Sequence, residues 1–253
     1  AMLNDDQLLR YSRQLMVEEF DLAGQEALAA ARVLVVGCGG LANPAGLYLA
    51  GAGIGELVLV DDDVVEPSNL HRQVAFRDED TGRPKAEALK AHLLALNPEI
   101  AIQAHRLRAD RHWLDRQVAE ASVVLDCTDN FATRQRINEA CVAHRRPLVS
   151  GAAIRMDGQL AVFDLRQPGS ACYACVYGEG TDGDLACSQA GILGPVVGTI
   201  GTLQALAAIQ VLLGTSLPAT LRLFDGRTLS WREMRFQRDP ACPVCSSRQT
   251  PPA

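Results

Sequence analysis

Short apolar runs and glycine turns alternate along this chain with longer segments whose apolar positions recur at helical spacing. Val33 to Val36 is an unbroken run of valine and leucine, the composition of a strand buried on both faces. Glycines at 37, 39 and 40 follow at once, then an apolar helix-like segment from Leu41 to Ala50, and after Gly51, Gly53 and Gly55 a second strand, Leu57 to Val60. That succession predicts a βαβ unit. Helices over Ala86 to Leu96, Trp113 to Ala121 and Phe131 to His144 alternate with strands over Ile100 to Ala104 and Ser122 to Leu125, the pattern of a parallel sheet. From Pro147 the pattern changes. Pro147 to Ala153 and Gln159 to Leu165 alternate as strands around Met156-Asp157-Gly158, and Leu221 to Phe224 and Leu229 to Met234 do so around Asp225-Gly226.

The expected class is α/β: a Rossmann-like nucleotide-binding fold with a mostly parallel sheet extended by antiparallel strands. Residues 5 to 30 show helical spacing, with Leu8, Leu9, Leu15 and Met16 on one side and Arg10 and Arg13 between them. The most apolar stretch, Ile192 to Leu213, contains Gly194, Pro195, Gly198, Gly201, Gln204 and Gln210. Those residues suit close packing inside protein, so a helix in a core or a dimer seam is expected rather than a membrane span.

Composition narrows the partners. With 253 residues, 48% hydrophobic and 21% charged, the chain can bury a full core. A net charge of −6 is a poor match for nucleic-acid phosphates. No charged-then-apolar leader precedes Asn4, and Ala1 before Met2 reads as a cloning remnant, so a cytoplasmic location is expected.

Gly37-Cys38-Gly39-Gly40-Leu41-Ala42 satisfies a dinucleotide fingerprint, and Asp61, ending the second strand, stands where a carboxylate holds ribose hydroxyls. An NAD-dependent oxidoreductase shares both features. Two cations point elsewhere. Glu66-Pro67-Ser68-Asn69-Leu70-His71-Arg72-Gln73 is a loop leaving the carboxyl end of that strand, which hangs Arg72 over the phosphate site. Lys85 follows Pro84 at a helix start, where a cation is disfavoured unless an anion compensates it. Asp129 and Asn130 leave the carboxyl end of another strand; either could cap the next helix, and Asp129 could hold a magnesium ion on the nucleotide.

Four of the eight cysteines form two pairs, Cys172-Tyr173-Ala174-Cys175 and Cys242-Pro243-Val244-Cys245. Two such knuckles complete a closed, tetrahedral structural zinc site that would clamp the carboxyl tail to the middle of the chain. Cys38, Cys127 and Cys141 read as packing residues. Cys187 lies in a glycine-rich, acidic stretch from 178 to 188 and is either a nucleophile or a bystander.

Taken together, Gly37-x-Gly-Gly-Leu, Asp61-x-Asp63, Ser68-Asn69-Leu70-His71-Arg72-Gln73, Gly82-x-Pro84-Lys85, Asp126-Cys127-Thr128-Asp129-Asn130, Ser150-Gly151-Ala152 and the paired knuckles resemble the E1-like adenylyltransferases of the MoeB and ThiF type. The resemblance spans essentially the whole chain. It implies one domain over 1–253, with helices over 1–30, a nucleotide-binding part over 31–146 and a carrier-binding and zinc part over 147–253. It also implies an activity: adenylation, with ATP and magnesium, of the terminal Gly-Gly of a ubiquitin-like sulfur-carrier protein, MoaD-like or ThiS-like. Gly40 would approach the phosphates and Asp61 the ribose. Ser68, Asn69, Arg72 and Lys85 would meet the phosphate chain, with Leu70 and His71 in the same binding segment. Asp129 and Asn130 would complete the magnesium site, and Arg13 would reach into the neighbouring subunit of a homodimer.

The molybdopterin version is the leading expectation; the thiamin version would make Cys187 covalently important. A noncatalytic carrier-binding module is the third class. The chain ends soon after Cys245 without a sulfurtransferase domain, so a separate protein is expected to supply sulfur. It departs from the family pattern at Ala42-Asn43-Pro44, where Asn43-Pro44 is expected to alter how the first helix begins.

Overall fold

The computed structural model describes residues 2–178 and 190–246. Its strands are β1 (Arg32–Val36), β2 (Glu56–Val60), β3 (Ala101–His105), β4 (Val123–Asp126), β5 (Leu148–Ile154), β6 (Asp157–Phe163), β7 (Thr220–Asp225) and β8 (Ser230–Arg235). They form one sheet in the order β3-β2-β1-β4-β5-β6-β7-β8. The first five in that order run parallel, and β5 through β8 are antiparallel, as the change of pattern at Pro147 predicts. The helices are α1 (Asp5–Arg10), α2 (Ser12–Leu15), α3 (Asp21–Ala29), α4 (Ala42–Ala52), α5 (Lys85–Leu96), α6 (Arg111–Glu120), α7 (Phe131–His144), α8 (Tyr173–Tyr177) and α9 (Gly194–Leu212).

The valine and leucine runs are continuous because helices cover both faces of the parallel strands. Val33, Val35, Leu57, Leu59, Val123 and Leu125 face one core with Leu49, Leu89 and Ile200. Leu34, Val36, Val58, Val60 and Val124 face the other with Leu114, Val118 and Ile137. Chain order reverses between β1 and β4, so their carboxyl ends open a crevice at the switch point, the place where open α/β sheets bind ligands.

Helix α9 is long and apolar enough to cross a membrane, yet its residues are placed for protein contact. A Cβ at Gly201 would lie 2.3 Å from the Leu41 carbonyl oxygen, so glycine lets α9 press onto the start of α4. Buried Gln204 donates to the carbonyls of Asp126 at 2.9 Å and Val149 at 3.3 Å, tying α9 to β4 and β5. On its outer side Leu206 remains exposed.

The helices expected over residues 1–30 are α1, α2 and α3, and one local expectation shifts. The first hairpin turns at Arg155-Met156 rather than at Met156-Asp157-Gly158, because Asp157 and Gly158 already pair with Ile154 and Ala153.

Candidate functional site

The crevice at the switch point is a cleft of about 1370 Å³. Gly37, with φ of +90°, turns the chain out of β1; a side chain there would meet the Cys127 carbonyl oxygen at 2.6 Å, so the position admits only glycine. Gly40 lines the same cleft, crowded by Val197 and Arg72.

Asn43 is the outcome of the unusual Asn43-Pro44 pair. It is fully buried, donates to the carbonyls of Cys38 at 3.2 Å and Gly39 at 2.8 Å, and accepts from Ala75 N at 2.9 Å. It therefore fixes the glycine turn against the loop that carries Arg72. Pro44 sits in the first turn of α4, where no intrahelical N–H is needed, and the helix still starts at Ala42.

Asp61 accepts from Cys38 N and from Asp63 N, both at 2.8 Å, and faces the cleft from the end of β2. Burial raises its carboxyl pKa, and those two backbone donors oppose the shift. Lys85 is the first residue of α5 and is almost fully buried; its ammonium lies 3.5 Å from the Asp63 carboxylate and faces the cleft. The Arg72 guanidinium is steered by the Ser68 carbonyl at 3.0 Å and the His71 ring nitrogen at 2.9 Å. Ser68, Asn69 and His71 also line the cleft, whereas Leu70 packs against the core. Asp129 and Asn130 also line the cleft; Asn130 caps α7 through Thr133 N at 2.9 Å, and Asp129 is exposed.

Arg13 does not line its own chain's cleft. It is exposed on α2 between two anchored neighbours: the Tyr11 hydroxyl accepts from Asn97 at 2.8 Å, and Gln14 donates to the Ala52 carbonyl at 2.8 Å. Cys187 lies outside the described residues.

Sequence reasoning missed Arg134. This buried arginine lines the cleft and donates to the carbonyls of Thr128 and Gly151 and, at 3.4 Å, to Ser150 Oγ, with the Asp126 carboxylate 3.6 Å away. Burial opposes its charge most strongly, but Asp126 together with Tyr173, Tyr177 and Cys127 raises its pKa. Its position four residues after the Asn130 cap was the available signal, since it places the side chain on the helix face that looks back at the strand ends.

The four knuckle cysteines converge as expected, their Sγ atoms all within 4.8 Å of one another. Separations of 3.9, 3.7 and 3.4 Å for Cys172–Cys175, Cys172–Cys242 and Cys175–Cys245 bracket the ~3.8 Å edge of a tetrahedron with ~2.3 Å metal–sulfur bonds. All four positions are thiols, which suits a structural ion. The knuckle also shapes the cleft. Cys172 precedes α8, whose Tyr173 and Tyr177 stack at 4.4 Å and line the cleft, where the Tyr177 hydroxyl donates to Gln159 at 2.7 Å.

The model of the ThiF family matches residues 11–244. The chain belongs to the ThiF family. This ThiF-family protein is 48% identical over 252 residues to the sulfur carrier protein ThiS adenylyltransferase of Escherichia coli (strain K12), covering 99% of the chain and 100% of the relative. It is 46% identical over 247 residues to the molybdopterin-synthase adenylyltransferase of the same organism, covering 97% and 99%. Among solved structures, E. coli MccB with ATP is similar to it with a TM-score of 0.81 at 26% identity, over 93% of this chain and 74% of MccB. Membership bears out the α/β nucleotide-binding architecture and sets aside the oxidoreductase alternative, which gives no work to Arg72 or Lys85 of this ThiF-family cleft.

Proposed function

We propose that this protein adenylates the carboxyl terminus of a ubiquitin-like sulfur-carrier protein with ATP, releasing pyrophosphate. One observation carries the reading: Arg72 and Lys85 face the same cleft as the Gly37–Gly40 turn and Asp61, a set made for a polyphosphate nucleotide. A peptide carboxylate is ionised at neutral pH and needs no base. One of its oxygens attacks the α-phosphorus, forming an acyl–phosphate bond as the bond to pyrophosphate breaks. What the protein supplies is in-line placement and positive charge.

Gly40 admits the phosphates, Asp61 accepts from the ribose hydroxyls, and Arg72 and Lys85 take up charge on the phosphoryl oxygens. Ser68, Asn69 and His71 hold the phosphate chain; Leu70 supports that segment from beneath. Asp129 and Asn130 are the residues for magnesium, which when bound would neutralise charge on the phosphates. The exposed position of Arg13 suits donation to the cleft of a second copy, which makes a homodimer the working unit. Zinc on Cys172, Cys175, Cys242 and Cys245 is structural. A distinct protein would provide sulfur, and the work would take place in the cytoplasm.

The test is carrier-dependent exchange of labelled pyrophosphate into ATP, run with purified molybdopterin-synthase carrier and with thiamin-pathway carrier. Exchange with either is expected, with the molybdopterin carrier the leading candidate. Exchange with neither sinks the reading, and carrier binding without exchange would make the protein a noncatalytic module. Sulfur transfer that survives Cys187→Ala would remove the covalent, thiamin-type role of that thiol.

The metal makes its own prediction. Elemental analysis of untreated protein should give one zinc per chain, and stripping it should lower the melting midpoint by ~10 °C or more, because the tail loses its clamp. Zinc-free protein with an unchanged midpoint would contradict this.

A further inference from the structure

Strand β5 pairs with β4 only as far as Ser150, then continues through Gly151–Ile154 against β6 alone. The β5–β6 hairpin thus rises four residues, about 13 Å, above the carboxyl edge of the parallel sheet and forms one wall of the cleft. Ala152 and Ala153 give that wall a narrow lining, and Arg155 is its tip.

Arg155 is held in an unusual way. Its φ of +54° lies in the left-handed region that favours glycine. Of the four non-glycine residues with positive φ among the described residues, only Arg155 lines the cleft. Its N–H donates to the Gly191 carbonyl at 2.8 Å and its own carbonyl accepts from Leu193 N at 3.1 Å, so the turn is clamped from both sides. The side chain is exposed and has no acidic partner among the described residues; nearby Asp157 is paired with Arg227 at 2.9 Å. A glycine would fit this backbone without strain, so retaining arginine calls for a job done by its side chain.

We infer that Arg155 recognises the carrier's tail. The inference rests on the adenylation reading and adds the residue that meets the peptide on its way in. An extended tail rises about 3.4 Å per residue, so a terminus placed over the glycine turn passes the tip of the wall about four residues upstream. A guanidinium only donates, and the acceptors that every extended tail carries are its backbone carbonyl oxygens, recognition that tolerates different side chains. Arg155 is therefore a binding residue for the extended backbone of the peptide leading into the terminal glycines.

Arg155→Gly is the decisive variant because it relieves the backbone while deleting the side chain. In the exchange assay, KM for the carrier should rise about tenfold, the loss of one charge-assisted hydrogen bond. KM for ATP should stay within about twofold, and the melting midpoint should hold or rise. Arg155→Lys keeps the charge but not the fork, and should fall between. An unchanged carrier KM in Arg155→Gly overturns the role of Arg155 and leaves adenylation standing. A wild-type protein that supports no exchange with either carrier overturns adenylation and this inference together.

Discussion

Replacing Lys85 by alanine is expected to slow carrier-dependent pyrophosphate exchange about a hundredfold while leaving the fold intact. Lys85 is almost fully buried at the amino end of α5, where the helix dipole disfavours a cation; Asp63, 60% exposed, lies 3.5 Å away, and the Asp61 carboxylate also feels its charge. An ion pair with one end in water contributes little to stability. The ammonium is therefore placed for an anion that arrives with the nucleotide, and removing a preorganised charge from a phosphoryl transition state costs ~3 kcal/mol. Asp63 is left exposed to water rather than stranded, so the melting midpoint should move by no more than a few degrees. Exchange at a tenth of the wild-type rate or better would show that Lys85 does not carry transition-state charge.

The largest stability effect is expected at Arg134. Asp126 is fully buried; one oxygen accepts from the backbone N and hydroxyl of Thr128, while the other has Arg134 at 3.6 Å and no hydrogen-bond donor among the described residues. Arg134→Ala leaves that carboxylate buried without its cation, and the Thr128 and Gly151 carbonyls lose a donor. Breaking a buried pair from one side costs ~3–5 kcal/mol, which for a chain of this size lowers the melting midpoint by ~10 °C. Removing both charges, as Asp126→Asn with Arg134→Met, should cost less than Arg134→Ala alone, because nothing charged is then left behind. A double variant less stable than the single one would mean that the pair is a net source of stability.

The parts of the site legible in the sequence are those whose chemistry is local. Gly37 is needed by a backbone turn, Asp61 ends a strand, and Lys85 follows a proline at a helix start, so neighbours in the chain betray each of them. The knuckle cysteines were also visible, because spacing within each pair fixes two ligands at once. Arg134 was hidden because its partners, Asp126, Ser150 and Gly151, come from two other strands. Asn43 looked like a disturbance of the first helix, and only its buried contact with Ala75 N shows that it is a brace. Leu70 illustrates the opposite limit, since a contiguous motif placed it beside Ser68 and Arg72 but one residue in the turn must face the core.

By itself the sequence determined which segments are strands and helices, where the parallel pattern gives way to hairpins, and that glycine, carboxylate and cation chemistry follows the strand ends. Those properties depend on periodicity and on backbone rules that act over a few residues. Tertiary structure alone decided that β1 and β4 are neighbours, which opens the cleft between them, and that β5 outruns β4 to lift Arg155 over it. It also brought buried Arg134 to Asp126 and Gly151. Such juxtapositions join separate elements of the chain, and burial of the two cores on either side of the sheet, not local propensity, selects them.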